Sequence, residues 1–143
     1  MTEIRTEIEI AASAGRVWKV LTDFAAYPEW NPLIPVASGE IRLGARLKFR
    51  ARLWDGVALR LQPTVVVAEA GRELRWRDQL LFPALFAAEH SLSIEPLGEQ
   101  RVRFIHREVY SGFLRPLVLL IIASNNRRRF AAMDQALKTR TEL

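Results

Sequence analysis

From Ala45 to Tyr110, apolar and polar residues alternate with period two in one segment after another, and only beyond Pro116 does the apolar spacing change to three and four. A strand turns successive side chains to opposite faces, whereas a helix returns to one face every three to four residues. The chain therefore reads as consecutive half-buried strands followed by one long helix. ARLKFRARL sets Ala45, Leu47, Phe49, Ala51 and Leu53 against Arg46, Lys48, Arg50 and Arg52. Asp55-Gly56 is a hairpin turn signal, and the next strand turns Val57, Leu59, Leu61, Val65 and Val67 inward, with Pro63 marking a bend or an edge. RELRWRDQLL places Leu74, Trp76, Asp78 and Leu80 inward. AAEHSLSIEP does the same for Ala88, His90, Leu92 and Ile94, and RVRFIHREVY for Val102, Phe104, His106, Glu108 and Tyr110. Short turns join these segments, so the sheet is expected to be an antiparallel meander of about six or seven strands.

The front of the chain supplies one more strand, IRTEIEI, with Ile4, Ile8 and Ile10 on its dry face. Ser13 is a suitable N-cap for a short helix from about Ala14 to Asp23 carrying Val17, Val20, Leu21 and Phe24, and a second short helix is expected to end at Tyr27-Pro28. DFAAYPEWNPLIP, Asp23 to Pro35, reads as the corner returning the chain to the sheet, with Phe24 and Trp30 packing it down and Tyr27 and Trp30 at the rim of whatever lies beneath. In the last helix Leu119, Ile122, Asn126, Phe130, Met133 and Leu137 trace one face.

At 143 residues the chain fits one domain, 1–143, and its balance of hydrophobic and charged residues is that of a soluble globular protein. Without cysteine there is no disulfide, thiol nucleophile or thiolate-bound metal. The first residues lack the basic start and apolar run of a secretion signal, which gives a cytoplasmic reading.

The order of elements resembles the START-like (SRPBCC, helix-grip) superfamily, and VWKVLTDFAAYPEWNPLI, EHSLSIEPLGEQRVRFIHREVYSGFL and RRFAAMDQALK look like its bacterial polyketide cyclase/dehydrase and lipid-transport group. The resemblance implies an α+β fold in which a curved antiparallel sheet grips the C-terminal helix, with two short helices after the first strand. It also implies an internal cavity for an apolar or amphipathic small molecule. It does not imply a reaction, because the superfamily holds carriers and sensors as well as enzymes.

Strand parity gathers His90, His106, Glu108 and Asp78 on the inward face, and the turn at LGEQ brings His90 near His106 or Glu108. Three readings stay open for this cluster. It can orient a ligand by hydrogen bonds in an otherwise apolar pocket. One histidine can be a general base beside Glu108 or Asp78, as a cyclase or dehydratase would need, with His90, His106 and Glu108 as the catalytic candidates. Two histidines and a carboxylate can also hold zinc or iron, but no metal or other cofactor is the expected state. The candidate pocket residues are Trp30, Phe49, Trp76, Asp78, Phe86, His90, Phe104, His106, Glu108, Tyr110 and Asn126.

The formal net charge of +5 comes mainly from arginines on the outer face of the sheet, where a solvated, partly ion-paired surface is expected. The strand carrying Arg46, Lys48, Arg50 and Arg52 and its neighbour carrying Arg60 have no matching acids. No nucleic-acid-reading module is recognisable, so nucleic acid is not an expected partner. Leu120 and Ile121 lie off the main helix face and fit a homodimer contact, a cavity mouth, or, with Arg127 to Arg129, a peripheral membrane contact as the lesser reading. A membrane-surface or protein-partner adaptor is thus a further alternative to a hydrophobic-ligand carrier.

Overall fold

The computed structural model describes residues 2–54 and 57–143, and the hairpin turn expected at Asp55-Gly56 lies outside them. Strand β1 (Thr2–Ile10) is followed by helix α1 (Ala14–Thr22), a 3-10 helix (Phe24–Glu29) and the short strand β2 (Val36–Ser38). Then come β3 (Lys48–Trp54), β4 (Val57–Leu61), β5 (Thr64–Glu69), β6 (Glu73–Gln79), β7 (Ala87–Gly98), β8 (Arg101–Ser111) and helix α2 (Arg115–Glu142).

The strands form two antiparallel sheets, β1-β8-β7-β6-β5 and β2-β3-β4, rather than one unbroken meander. The break falls at Pro63, which cannot donate to a strand ladder. Around it the sheets are stitched by Leu47 N–H to the Pro63 carbonyl at 2.8 Å, Val65 N–H to Ala45 at 2.9 Å and Gly44 N–H to Val65 at 2.9 Å. A bulge between Val65 and Val67 then reverses the parity: Val65 pairs with inward Trp76, but Val67 pairs with outward Arg75 and Ala68 takes the inner face opposite Leu74. Val67 is therefore outward, contrary to strict alternation, because the extra residue shifts every later side chain to the other face. Leu80 also departs from expectation; β6 ends at Gln79 and Leu80 is exposed.

Helix α1 starts where Ser13 caps it, its side chain accepting from Arg16 N–H at 3.1 Å. The 3-10 helix does not stop at Tyr27-Pro28 but runs through Pro28 to Glu29, and Trp30 and Asn31 N–H both bond back to the Tyr27 carbonyl. Buried Asn31 then folds its side chain onto the Leu33 and Ile34 N–H groups at 3.0 and 2.9 Å, which makes the tight corner into β2. Tyr27 is fully buried with its hydroxyl donating to the Leu21 carbonyl, and burial pushes its phenol well up.

Helix α2 is 28 residues long, with Pro116 in its first turn, so it reaches about 42 Å along the sheet. Gly112 makes the turn that feeds it. Its φ of +99° is open to glycine, and a Cβ there would lie 2.5 Å from the Leu85 carbonyl oxygen. Helix α2 packs over β1, β3 and β8, and its Phe130, Met133 and Leu137 belong to one buried cluster with Leu47, Phe49, Leu92 and Phe104. No helix among the described residues is long and apolar enough to cross a membrane.

Candidate functional site

The inner face of the five-stranded sheet presents its side chains in cross-strand rows. Trp76, His90 and Glu108 form one row across β6, β7 and β8; Leu92, His106 and Thr6 form the next across β7, β8 and β1. The two histidines therefore meet on the diagonal. Their Nε2 atoms are 2.6 Å apart, and His106 is fully buried.

From that contact a hydrogen-bonded chain extends both ways. His106 Nδ1 meets Asp134 Oδ1 at 2.7 Å, and the Thr6 hydroxyl donates to Asp134 Oδ2 at 2.5 Å. On the other side His90 Nδ1 meets Glu108 Oε2 at 3.0 Å, Tyr110 donates its hydroxyl to Glu108 Oε1, and Asn126 Nδ2 donates to the Tyr110 oxygen at 2.8 Å. Two nitrogens at 2.6 Å need a proton between them. With His106 donating from Nδ1 to Asp134, its Nε2 is an acceptor, so His90 donates to it from Nε2 and meets Glu108 through its Nδ1.

The shifts in proton affinity agree with this assignment. Burial would push Glu108 up, but the charge and hydrogen bond of His90 and the Tyr110 hydroxyl together hold it below the usual carboxylate range. Burial pushes His106 down, over the opposing pull of its hydrogen bond to Asp134. Tyr110 is pushed well up by burial and by the neighbouring Glu108 charge. Asp78 behaves differently: burial, then Glu108, push it up to about 6. Nitrogens in direct contact leave no place between them for an ion that would need about 2.0–2.1 Å to each. Among the described residues no group of three or more histidine, cysteine or acidic side chains is placed to hold a metal.

Between this network and the three-stranded sheet lies a cavity of about 40 Å³. Its polar wall is Asp78, His90, Glu108 and Asn126; Leu33, Ile34, Phe49, Trp76 and Phe130 supply much of the apolar remainder. Asn126, on this lining, is 1% exposed and among the described residues its Oδ1 has no hydrogen-bond partner, so a buried acceptor is left unsatisfied there.

Of the pocket residues expected from sequence, Phe49, Trp76, Asp78, His90, Glu108 and Asn126 line the cavity. His106 and Tyr110 stand one hydrogen bond behind it. Phe104 lies in the core beside His106, Phe86 stacks on Tyr110, and Trp30 packs edge-on to Tyr27 with ring centres 5.1 Å apart. The corner nevertheless reaches the site through aromatic contacts. Phe24 packs on Phe49, Phe49 on Trp76, and Trp76 stacks on His90 at 4.7 Å. Phe130 lies flat on His106 at 4.2 Å. Asp134 and Thr6 were not legible as members of the network. Their signal was position: Asp134 is four residues beyond Phe130 and three before Leu137, and Thr6 falls between Ile4 and Ile8 on the dry face of β1.

A curved sheet gripping a long helix, with a polar cluster at the cavity between them, defines a START-like helix-grip protein. The chain belongs to the polyketide cyclase / dehydrase and lipid transport family, whose model matches residues 1–142. Among curated proteins none matches at a significant level. Solved structures share the fold. A Streptomyces aromatase/cyclase, Zhui, aligns with a TM-score of 0.74 at 15% identity, covering 99% of this chain and 93% of that one. A START superfamily protein from Mycobacterium smegmatis aligns at 0.72 and 22% identity, covering 98% and 97%. Norcoclaurine synthase from Thalictrum flavum, solved with dopamine and hydroxybenzaldehyde, aligns at 0.70 and 15%, covering 96% and 84%.

Proposed function

We propose that the chain binds a small apolar or aromatic molecule between the three-stranded sheet and α2, oriented by Asp78, His90, Glu108 and Asn126. The observation that carries this reading is the unpaired Asn126 Oδ1 on a cavity whose lining beyond Asp78, His90 and Glu108 is aromatic and aliphatic. Such a lining, mostly apolar with a few convergent polar groups, is how ligand pockets are built. At about 40 Å³ the cavity has room for roughly one water, while pockets for drug-sized ligands measure ~300–1,000 Å³. Binding on this reading spreads the three-stranded sheet from α2 and displaces side chains such as Leu61 and Phe49. That one similar protein was solved with two aromatic compounds supports an aromatic ligand.

Native mass spectrometry of protein purified from its own host tests the reading, with ¹H–¹⁵N spectra recorded before and after delipidation. A co-purifying small molecule whose removal shifts the amides of Phe49, Trp76 and Asn126 is the expected result. Removal that shifts only surface amides would reject this location.

A second reading, proton-transfer catalysis of the cyclase or dehydratase type, is favoured by one observation: Asp78, pushed up to about 6, and Glu108, held low, face the same cavity. Two carboxyls driven apart in this way can serve as acid and base. His90→Ala and Glu108→Gln separate the readings. A carrier keeps its ligand affinity within a few-fold, whereas an enzyme loses turnover while still binding.

A further inference from the structure

Strand β5 begins at Thr64, opposite Arg77 of β6, so Asp78 and Gln79 run on without a β5 neighbour. Strand β4 ends at Leu61 and among the described residues pairs with β3 alone. The two sheets thus part between Leu61 and Asp78. On the outer side of this gap is a recess of about 530 Å³, lined among others by Arg46, Arg60, Arg77, Leu61 and Asp78. Leu61 and Asp78 also line the inner cavity of about 40 Å³. The same two residues therefore line both the surface recess and the buried cavity.

The charges around the recess are uneven. Arg77 is taken up by Glu89 at 2.8 Å. Arg46 donates to the Gln62 carbonyl at 3.3 Å, and among the described residues neither Arg46 nor Arg60 has a carboxylate within ion-pair distance. Guanidinium groups offer paired N–H donors that match the oxygens of a carboxylate or phosphate. Here two of them flank a recess that shares Leu61 and Asp78 with the inner cavity.

We propose that this gap is the portal to the buried site, and that the ligand is an amphipathic molecule whose apolar body passes Leu61 and Asp78 while a carboxylate or phosphate head stays on Arg46 and Arg60. The proposal rests on the ligand-binding reading above and names its substrate class. An anionic head also explains why Arg60 stands directly opposite Arg50 across the β3–β4 ladder, an arrangement that like charges disfavour.

The test is calorimetric and NMR titration with three probes sharing one ring system: 1-naphthylacetate, 1-naphthyl phosphate and the neutral 1-naphthylacetamide. Both anions, or whichever one carries the native head chemistry, are expected to bind about tenfold or more tighter than the amide, as charge-assisted bonds require. The Arg46→Glu/Arg60→Glu double variant is expected to lose that preference while keeping its affinity for the amide. Carboxylate preferred over phosphate, or the reverse, identifies the head. Equal binding of all three, or a preference that survives the double variant, overturns the anionic head and leaves ligand binding standing. If no probe shifts the Phe49, Trp76 or Asn126 amides, the ligand-binding reading itself falls, and the portal with it.

Discussion

On the outer face of the five-stranded sheet, Arg75 and Arg77 share Glu89, Arg101 meets Glu9, Arg103 meets Glu95 and Arg107 meets Glu3. The three-stranded sheet shows Lys48, Arg50, Arg52 and Arg60 on its own outer face, and among the described residues no carboxylate lies within ion-pair distance of them. The cause is in the strands. β1, β6 and β7 carry glutamates at outward positions, while VAS, KFRARLW and VALRL contain no acid at all. The inner faces differ in the opposite sense, since the larger sheet holds the linked histidines and carboxyls and the smaller one presents Phe49, Ala51 and Leu61. One sheet satisfies its charges within the molecule. The other leaves them to whatever comes from outside, and the two meet at the cavity.

The largest expected effect lies on the self-satisfied side. Asp134→Ala removes the acceptor of both His106 Nδ1–H and the Thr6 hydroxyl at a buried position. Breaking one member out of a buried ionic network typically costs about 3–5 kcal/mol. Urea denaturation at pH 7 should show a loss of that order with the slope unchanged. A loss below about 1 kcal/mol, the scale of a surface ion pair, would mean the network is not a cooperative unit.

Acid should act on the same network. His106 is held below its ordinary value of 6.5, so as pH falls through 6.5 the unfolded chain takes up a proton that the fold refuses. Stability then declines by up to about 1.4 kcal/mol per pH unit for one such group. Glu108, held low, adds stability above 4.5 that is lost as pH falls through its folded value. Asp78 opposes both. Raised from 3.8 to about 6, it keeps in the fold a proton that the unfolded chain gives up, and so favours the fold as pH falls through that window. Denaturation midpoints measured from pH 8 to 5 in Asp78→Asn, where the opposing group is gone, should fall more steeply than in the native chain. A flat profile would show that His106 is not held neutral.

Asp78→Asn also makes a prediction at fixed pH. At pH 8 the native carboxyl is ionised in a place that disfavours its charge, and after discounting for partial exposure the amide should stabilise the fold by about 1–2 kcal/mol. At pH 3, below the ordinary value of 3.8, the carboxyl is mostly protonated in the folded and the unfolded chain alike, and the gain should nearly vanish. A gain equal at both values would mean that packing, not charge, decides it.

The alternating strands, the capped first helix and the long last helix were readable because each is written as a period. Parity also placed His90, His106, Glu108 and Tyr110 on one face, and the short LGEQ turn fixed their register. What parity could not carry was the bulge at Val65/Val67, since a single inserted residue leaves no compositional mark in a run of valines. Nor could it carry the split of the sheet, which depends on where β5 starts relative to β6, or the size of the cavity, which depends on how completely Phe49, Trp76 and Phe130 fill it. Asp134 was missed for a different reason: an acid between Phe130 and Leu137 looks like a helix-surface residue until the histidine it serves is in place.

The smallest effect bears most directly on why the two sheets differ. Arg60 faces Arg50 across the β3–β4 ladder, so Arg60→Glu exchanges a repulsion for an attraction between directly opposed side chains. Cross-strand pairs of this kind are worth about 0.2–1 kcal/mol, and the variant should be more stable than the native chain by that amount in urea denaturation at low salt. The gain should shrink as salt rises. Were the small sheet's charges merely solvated, the same substitution would also be harmless to anion binding. On the portal reading it strengthens the fold and weakens the hold on a carboxylate or phosphate head, two effects of opposite sign from one side chain. A variant that is both more stable and equally tight for 1-naphthylacetate would remove the reason offered here for the unpaired arginine.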